Sequence, residues 1–408
     1  MVQSTTASTR RFGLIYFLFS ALLLLPMLAA AAADPGFEKW KREFRKQALS
    51  EGITAETFDR AFKGIDSPDQ WVLDKASFQP EFKAPAWQYF DNRITKYAVK
   101  RGREKKQELQ PWLDKIDKRF GVNPNILLAI WSMESSFGAI LDNTNVMRSV
   151  VRSLATLAYA DPKRKKFGTS QLLAALKILQ SGDIDESHLT GSWAGAMGHT
   201  QFIPTSYQAY AVDMDGDGKR DIWNSVPDAL ATAASLLNKN GWRTGETWGY
   251  EVTIPEHKLP AGKLKISEWE KLGVNRVRGQ KFPRPDDIAE LKVPAGRGGP
   301  AFLVLHNFYV IKRYNNSDRY ALAVGILADQ IGGAEPLTKD WKRPFTKLDQ
   351  DEVMELQTKL KEKGFYDGEV DGKAGEGTRK AILKFEESAG VELQGFPSKE
   401  VLELLRKK

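Results

Sequence analysis

Between Asp34 and Ile331 the apolar residues recur at intervals of three and four, with frequent loop breaks, which commits most of this stretch to helices. "GFEKWKREFRKQALSEGI" and "SLATLAYADPKRKKFGTSQLLAALKIL" carry that spacing, and "DALATAASLLNKNGW" carries it up to a stop at Gly241. Residues 250–305 break the pattern. They are richer in Pro, Gly and Val, and short runs such as "YEVTI" and "RGGPAFLVL" predict small strands or an irregular insertion. Helix returns at Ser317, whose hydroxyl can cap it. Residues 332–347 have Gly and Pro without a period and read as a linker. Residues 348–408 form a compact unit of helix, glycine-rich turns, helix and a last short helix. The predicted class is mainly α, with a small β insertion and a small three-helix C-terminal domain.

The first 33 residues look like an export signal. Arg10 and Arg11 make a positive start, "LIYFLFSALLLLPMLAA" is a short apolar core, and alanines 31–33 offer a cleavage site before Asp34. A membrane anchor is the other reading, but the run is short and ends in alanines. The expected mature chain is periplasmic and not anchored in the membrane. With no cysteine there are no disulfides, thiolate metal sites or cysteine-linked lipid. The formal charge is +8, and the two arginines are the only charges of the signal, so its removal leaves +6. A basic excess points to an anionic partner. Lysines and arginines are scattered among acids without a nucleic-acid-binding motif, so nucleic acid is not expected. "KRGREKK" at 100–106 reads as a solvated helix face.

One acid is out of place. In "GVNPNILLAIWSMESSFG", Asn123 can cap a helix, Pro124 suits its first position and Gly138 its stop. Helical periodicity puts Leu127, Ile130, Trp131 and Glu134 on one face. A carboxyl half-set in an apolar cleft loses solvation and holds its proton to higher pH, which suits it to protonate a glycosidic oxygen. On periodicity alone the favoured reading is a rim glutamate pointing to water. A second stretch, "GSWAGAMGHTQFIPTSYQAYA", surrounds Ser192, Gln201 and Thr205 with glycines, Trp193 and Tyr207. Glycines let a backbone approach a ligand, and aromatic rings with a few polar groups suit a sugar site. A tightly packed loop under a helix would look the same.

"ESSFG", "WAGAMGHTQFIPTSY" and "RYNNSDRYA", in this order, resemble the periplasmic lytic murein transglycosylases of the membrane-bound transglycosylase B type, over roughly residues 37–331. The resemblance implies a lysozyme-like helical domain that cleaves peptidoglycan glycan strands. It implies that Glu134 is the single catalytic acid/base, that Ser192 and Gln201 line the sugar groove, and that Tyr314, Asn315 and Tyr320 form another wall. Trp193 and Phe202 are expected to pack, and Ser135 and Ser136 receive no role. No second Asp or Glu lies in the motif of Glu134 or in the glycine motif, and the third motif holds the single acid Asp318, so a substrate-assisted route to a 1,6-anhydro product is expected, with a water-using muramidase as the alternative. A non-catalytic wall-binding scaffold is a third reading.

In "DMDGDGKRD", Asp213, Asp215, Asp217 and Asp221 hold EF-hand positions 1, 3, 5 and 9, with Gly218 at the turn and Lys219 offering a carbonyl. Position 12 is Asn224 rather than a bidentate Glu, and Asp228 is the expected substitute. An acidic turn capped by its own side chains is the alternative. In the related enzymes such a loop binds calcium, which the resemblance carries to Asp213, Asp215 and Asp217. The expectation is a structural calcium ion and no organic cofactor. A calcium-sensing adaptor would need a partner hand. The four histidines, at 188, 199, 257 and 306, show no ligand spacing. The C-terminal "DGEVDGKAGEGTRKAILKFE" resembles the type 1 peptidoglycan-binding domain, which implies a tethering role. Leu356, Leu360, Ile382 and Phe385 are its expected core, and Thr378 is its expected helix cap.

Overall fold

The computed structural model describes residues 34–77, 85–391 and 394–407, so the expected export signal lies outside the described residues. The fold is mainly α, as the periodicity predicts. Asp34 caps the first helix, Pro35–Ser50, and the acid-bearing helix is Pro124–Ser135, capped by the Asn123 side chain on the Asn125 amide. That helix ends earlier than the expected stop at Gly138. Ser136 and Phe137 already turn left-handed at φ 51° and 59°, a conformation that non-glycine residues adopt only when neighbours enforce it. Nor does the helix bury a single stripe. Ile126 to Trp131 and Met133 are all buried, so it is the central rod of the large core.

The antiparallel partner of this rod is Asp318–Ile331, capped by Ser317 as predicted. Tyr320, near its start, meets Glu134 at the end of the rod. At the other end a side chain added at Gly332 would strike Asn125. Helix Lys96–Glu108 crosses close by at Gly102, where any Cβ would meet Ile331.

Two short strands, β1 (Arg148–Ser149) and β2 (Thr190–Gly191), pair ahead of the glycine loop. The 250–305 insertion is an antiparallel five-stranded sheet. Its strands are β3 (Gly249–Thr253), β4 (Lys263–Lys265), β5 (Asn275–Arg276), β6 (Ile288–Lys292) and β7 (Ala301–Val304), in the order β4-β6-β7-β3-β5. Trp269, Ile266 and Leu303 fill a separate small core beneath it. A helix not expected from the sequence, His306–Ile311, leads out of the sheet. No helix among the described residues is long and apolar enough to cross a membrane.

The C-terminal unit has helices Gln350–Glu362, Glu376–Ala389 and Lys399–Lys407 around Leu356, Leu360, Ile382 and Phe385, all buried. Thr378 does not cap. The N-cap position is Gly375, and the buried Thr378 hydroxyl accepts from Gln357. Residues 332–347 hold no helix or strand, yet they are not a loose spacer. Trp341 lies flat on Phe90, with ring centroids 4.0 Å apart and planes 5° from parallel. The Arg343 side chain, 4% exposed, donates from Nε and Nη2 to the two oxygens of Asp91 at 3.0 and 2.7 Å. Phe345 and Phe396 then clasp Trp87, joining the C-terminal unit to helix Ala86–Arg93. Composition reports the missing period of such a segment but not its anchors.

Asp91→Ala takes away the two-pronged partner of the buried Arg343 guanidinium and leaves it the more exposed Asp340, 2.6 Å from Nη1. It is expected to lower stability by about 2–3 kcal/mol, read as a lower urea midpoint, and to open the 332–347 segment to limited proteolysis.

Candidate active site

Three segments converge at the end of the central rod. Glu134, half-buried, accepts from the Tyr320 hydroxyl at 2.5 Å. The Tyr314 hydroxyl donates to the Thr200 carbonyl of the glycine loop, and the Tyr314 and Tyr320 rings lie nearly parallel with centroids 6.3 Å apart. Burial and then the negative charge of Glu134 push both tyrosine hydroxyls well above their ordinary pKa. Both therefore stay protonated, and Tyr320 donates to the carboxylate while Tyr314 donates to the Thr200 carbonyl.

The glycine loop is stitched to the same helix end. The Ser135 hydroxyl donates to the His199 carbonyl at 2.6 Å and accepts from the Gly138 amide at 3.0 Å. Trp131 Nε1 donates to His199 Nδ1 at 3.1 Å. On the other side, Arg93 donates to the Met133 carbonyl at 3.2 Å. Gly138 sits at φ 87°, and a Cβ there would lie 2.6 Å from the His199 ring, so only glycine lets the two segments close up. Gln201 is left-handed as well, at φ 50°. With Ser136 and Phe137, three strained non-glycine residues flank Glu134, as expected where a fold sacrifices local comfort to aim a side chain.

The expected groove residues fall as follows. The Ser192 hydroxyl accepts from the Ala194 and Ala196 amides at 3.3 and 3.1 Å, which shapes its own turn. Gln201 donates from its side-chain amide to the Gly198 carbonyl at 2.9 Å. Asn315 is exposed at the rim, and its carbonyl accepts from Ser317. Phe202 is buried edge-on against Tyr314, and Trp193 is half-buried with the Arg164 guanidinium 5.4 Å above its ring. Ser135 and His199, which the sequence left without a role, form the joint between loop and helix. Their spacing in sequence gives no hint of it, since 64 positions separate them.

The acidic loop runs directly into this joint. The His199 amide donates to the Ile222 carbonyl at 2.9 Å, and Tyr207 donates to the Arg220 carbonyl at 2.6 Å. Oxygens of Asp213, Asp215 and Asp217 lie within 4.8 Å of one another, a set of hard donors that fits a calcium ion. Asp228 does not belong with them. It is fully buried, its Oδ1 accepts from the Met214 and Asp215 amides, and its Oδ2 accepts from the Asp221 amide. It pins the loop from below, and burial raises its pKa. The Lys219 amide donates to Asp217 at 2.8 Å.

Residues 36–329 match the family of the transglycosylase SLT domain. The chain belongs to this family. Residues 349–405 match the putative peptidoglycan binding domain family. The SLT-family chain is 30% identical over 294 residues to membrane-bound lytic murein transglycosylase B of Escherichia coli K12, covering 71% of this chain and 79% of that protein. It is 44% identical to SltB3 of Pseudomonas aeruginosa, with a TM-score of 0.72 over 91% of this chain and all of the other, in crystal structures with NAG-NAM-pentapeptide and with NAG-anhNAM-pentapeptide. Slt35 of Escherichia coli, in complex with calcium, is 25% identical, with a TM-score of 0.61 over 73% of this chain and 93% of that one.

Burial lowers the His199 pKa to about 4, well below that of an unfolded histidine. The unfolded chain therefore takes up a proton that the folded SLT domain refuses. Stability from this group is full above about pH 6.5 and falls as pH drops toward 4. His199→Gln is expected to remove about 2–3 kcal/mol of that acid-side loss, measured as urea unfolding free energies at pH 7 and pH 4 for both proteins.

Proposed function

We propose that the protein is an exported, periplasmic lytic transglycosylase that cleaves the β-1,4 bond between N-acetylmuramic acid and N-acetylglucosamine in peptidoglycan. Membership of the SLT family and the sugar–peptide complexes of SltB3 support the substrate class. The observation that carries the reading is the carboxyl of Glu134, fixed by the Tyr320 hydroxyl at the meeting of three segments.

Glu134 in its protonated form gives its proton to the bridging oxygen as the C1–O bond breaks. The 2-acetamido oxygen of the muramic acid supports the developing cation. The 6-hydroxyl then closes onto C1 and returns its proton to Glu134. One bond breaks, one forms, and no water is consumed, so the new end is a 1,6-anhydro sugar. Tyr320 and Tyr314 hold the carboxyl and the loop in register, which supplies orientation rather than proton transfer. Ser192 and Gln201 line the sugar groove, and Tyr314, Asn315 and Tyr320 form its other wall. The C-terminal unit, as a second murein-binding module, raises the local concentration of the enzyme on its polymer.

Calcium, when bound, cross-links the acidic loop. Asp213, Asp215 and Asp217 would hold it, with the Lys219 carbonyl as a further donor. It stiffens the backbone that reaches His199 and takes no part in the chemistry.

Two experiments test these statements. Mass analysis of products from purified sacculi is expected to find ends about 18 mass units below reducing ends. Glu134→Gln is expected to slow their release by roughly 10²–10⁴-fold. Reducing ends, or an unimpaired variant, would sink the reading. Separately, calcium at about 100 times its Kd is expected to stabilise the fold by about 2.7 kcal/mol, seen as a higher Tm. Asp213→Ala should lose that response.

A further inference from the structure

Asp318 is the first residue of the helix that presents Tyr320, and each of its carboxylate oxygens has its own ammonium partner. Lys312 Nζ lies 2.6 Å from Oδ1, and Lys292 Nζ lies 3.0 Å from Oδ2. Lys292 comes from β6, an inner strand of the small sheet. It also lies 2.6 Å from Glu290 Oε1, and the other oxygen of Glu290 accepts from the Tyr309 hydroxyl. Glu290 and Lys292 alternate along β6 and so share one face. The result is a continuous chain, Tyr309–Glu290–Lys292–Asp318–Lys312. It runs from helix His306–Ile311 through the sheet to the start of the Tyr320 helix. Burial opposes charge on Lys292 and Asp318, yet the hydrogen bonds outweigh it: Lys292 is held above its ordinary pKa and Asp318 below the usual carboxylate range.

We propose that Lys292 is a positioning residue for the acid–base centre, acting through Asp318 to fix the start of the helix from which Tyr320 reaches Glu134. The inference rests on the reading of Glu134 as the proton carrier. Pairs this exposed, with side chains 21% and 40% accessible, add little to global stability. Their effect is local. Asp318 and Tyr320 are two residues apart, less than one helical turn. Lys312 and Asp318 close the base of the loop that carries Tyr314 and Asn315, so a drift of the helix start moves both tyrosines together. A displacement of about 1 Å at a catalytic hydrogen bond can cost on the order of 100-fold in rate. The small sheet is thus a strut for the active site as well as its neighbour.

Steady-state kinetics on uncrosslinked glycan strands test this. Lys292→Met is expected to lower kcat about tenfold with KM within about twofold of wild type and the Tm little changed, and Lys292→Arg to recover at least about half of the loss. Asp318→Asn should reproduce the fall in kcat. In a Tyr320→Phe background, adding Lys292→Met should change kcat by less than about twofold, since the two act through one path. Wild-type kcat in Lys292→Met or in Asp318→Asn would overturn the proposal. So would a loss confined to KM, failure of Lys292→Arg to rescue, or full additivity with Tyr320→Phe. A wild-type enzyme that yields no anhydro ends from the same strands would instead sink the functional reading itself.

Discussion

The hydroxyl of Tyr320 on the carboxylate of Glu134 is the contact that gives this architecture its point. It joins the end of one buried helix to the start of another, 186 positions later in the chain. Both helices run through the large core, Pro124–Ser135 nearly encased and Asp318–Ile331 packed beside it. Encasement lets the core carry the strain of Ser136 and Phe137 at the exit. The polar end of a hydrophobic rod is held still by everything that packs around the rod.

The loops extend this rigidity outward. The glycine loop is fixed to the rod by Ser135 and Trp131 through His199, and to the opposite wall by Tyr314. Behind it, the acidic loop reaches the same histidine through Ile222 and is pinned from within by Asp228. Three buried polar groups, Ser135, Asp228 and Asn307, each satisfy backbone amides or carbonyls that the loops would otherwise leave unpaired. Removing any one leaves a buried group without a partner, which costs more than the bond itself contributes.

The same logic joins the two murein-related units. Trp341, Arg343 and Phe345 turn an irregular segment into a docked strap on helix Ala86–Arg93. The other end of that helix holds the Met133 carbonyl, next to Glu134, through Arg93. One short helix therefore touches both the clasp and the acid-bearing rod. Any movement of the C-terminal unit acts on a body already tied to the site.

Much of this was legible in the residues. Period and caps located the helices at Asn123 and Ser317, because capping and amphipathicity are local properties. Glu134 stood out by pattern and by family resemblance, Tyr314 and Tyr320 by the resemblance alone. The sequence did not reveal that Ser135 and His199 form a joint, that Asp228 serves the backbone rather than a metal, that Thr378 is buried and not a cap, or that 332–347 is anchored. These depend on partners from 7 to 252 positions away, and no local signal encodes such a meeting. By itself the sequence determined most of the helical segments, though not His306–Ile311, and which side chains could do chemistry. Only the tertiary structure decided which of them face one another, because burial and hydrogen-bond satisfaction are settled when distant segments close around the same space.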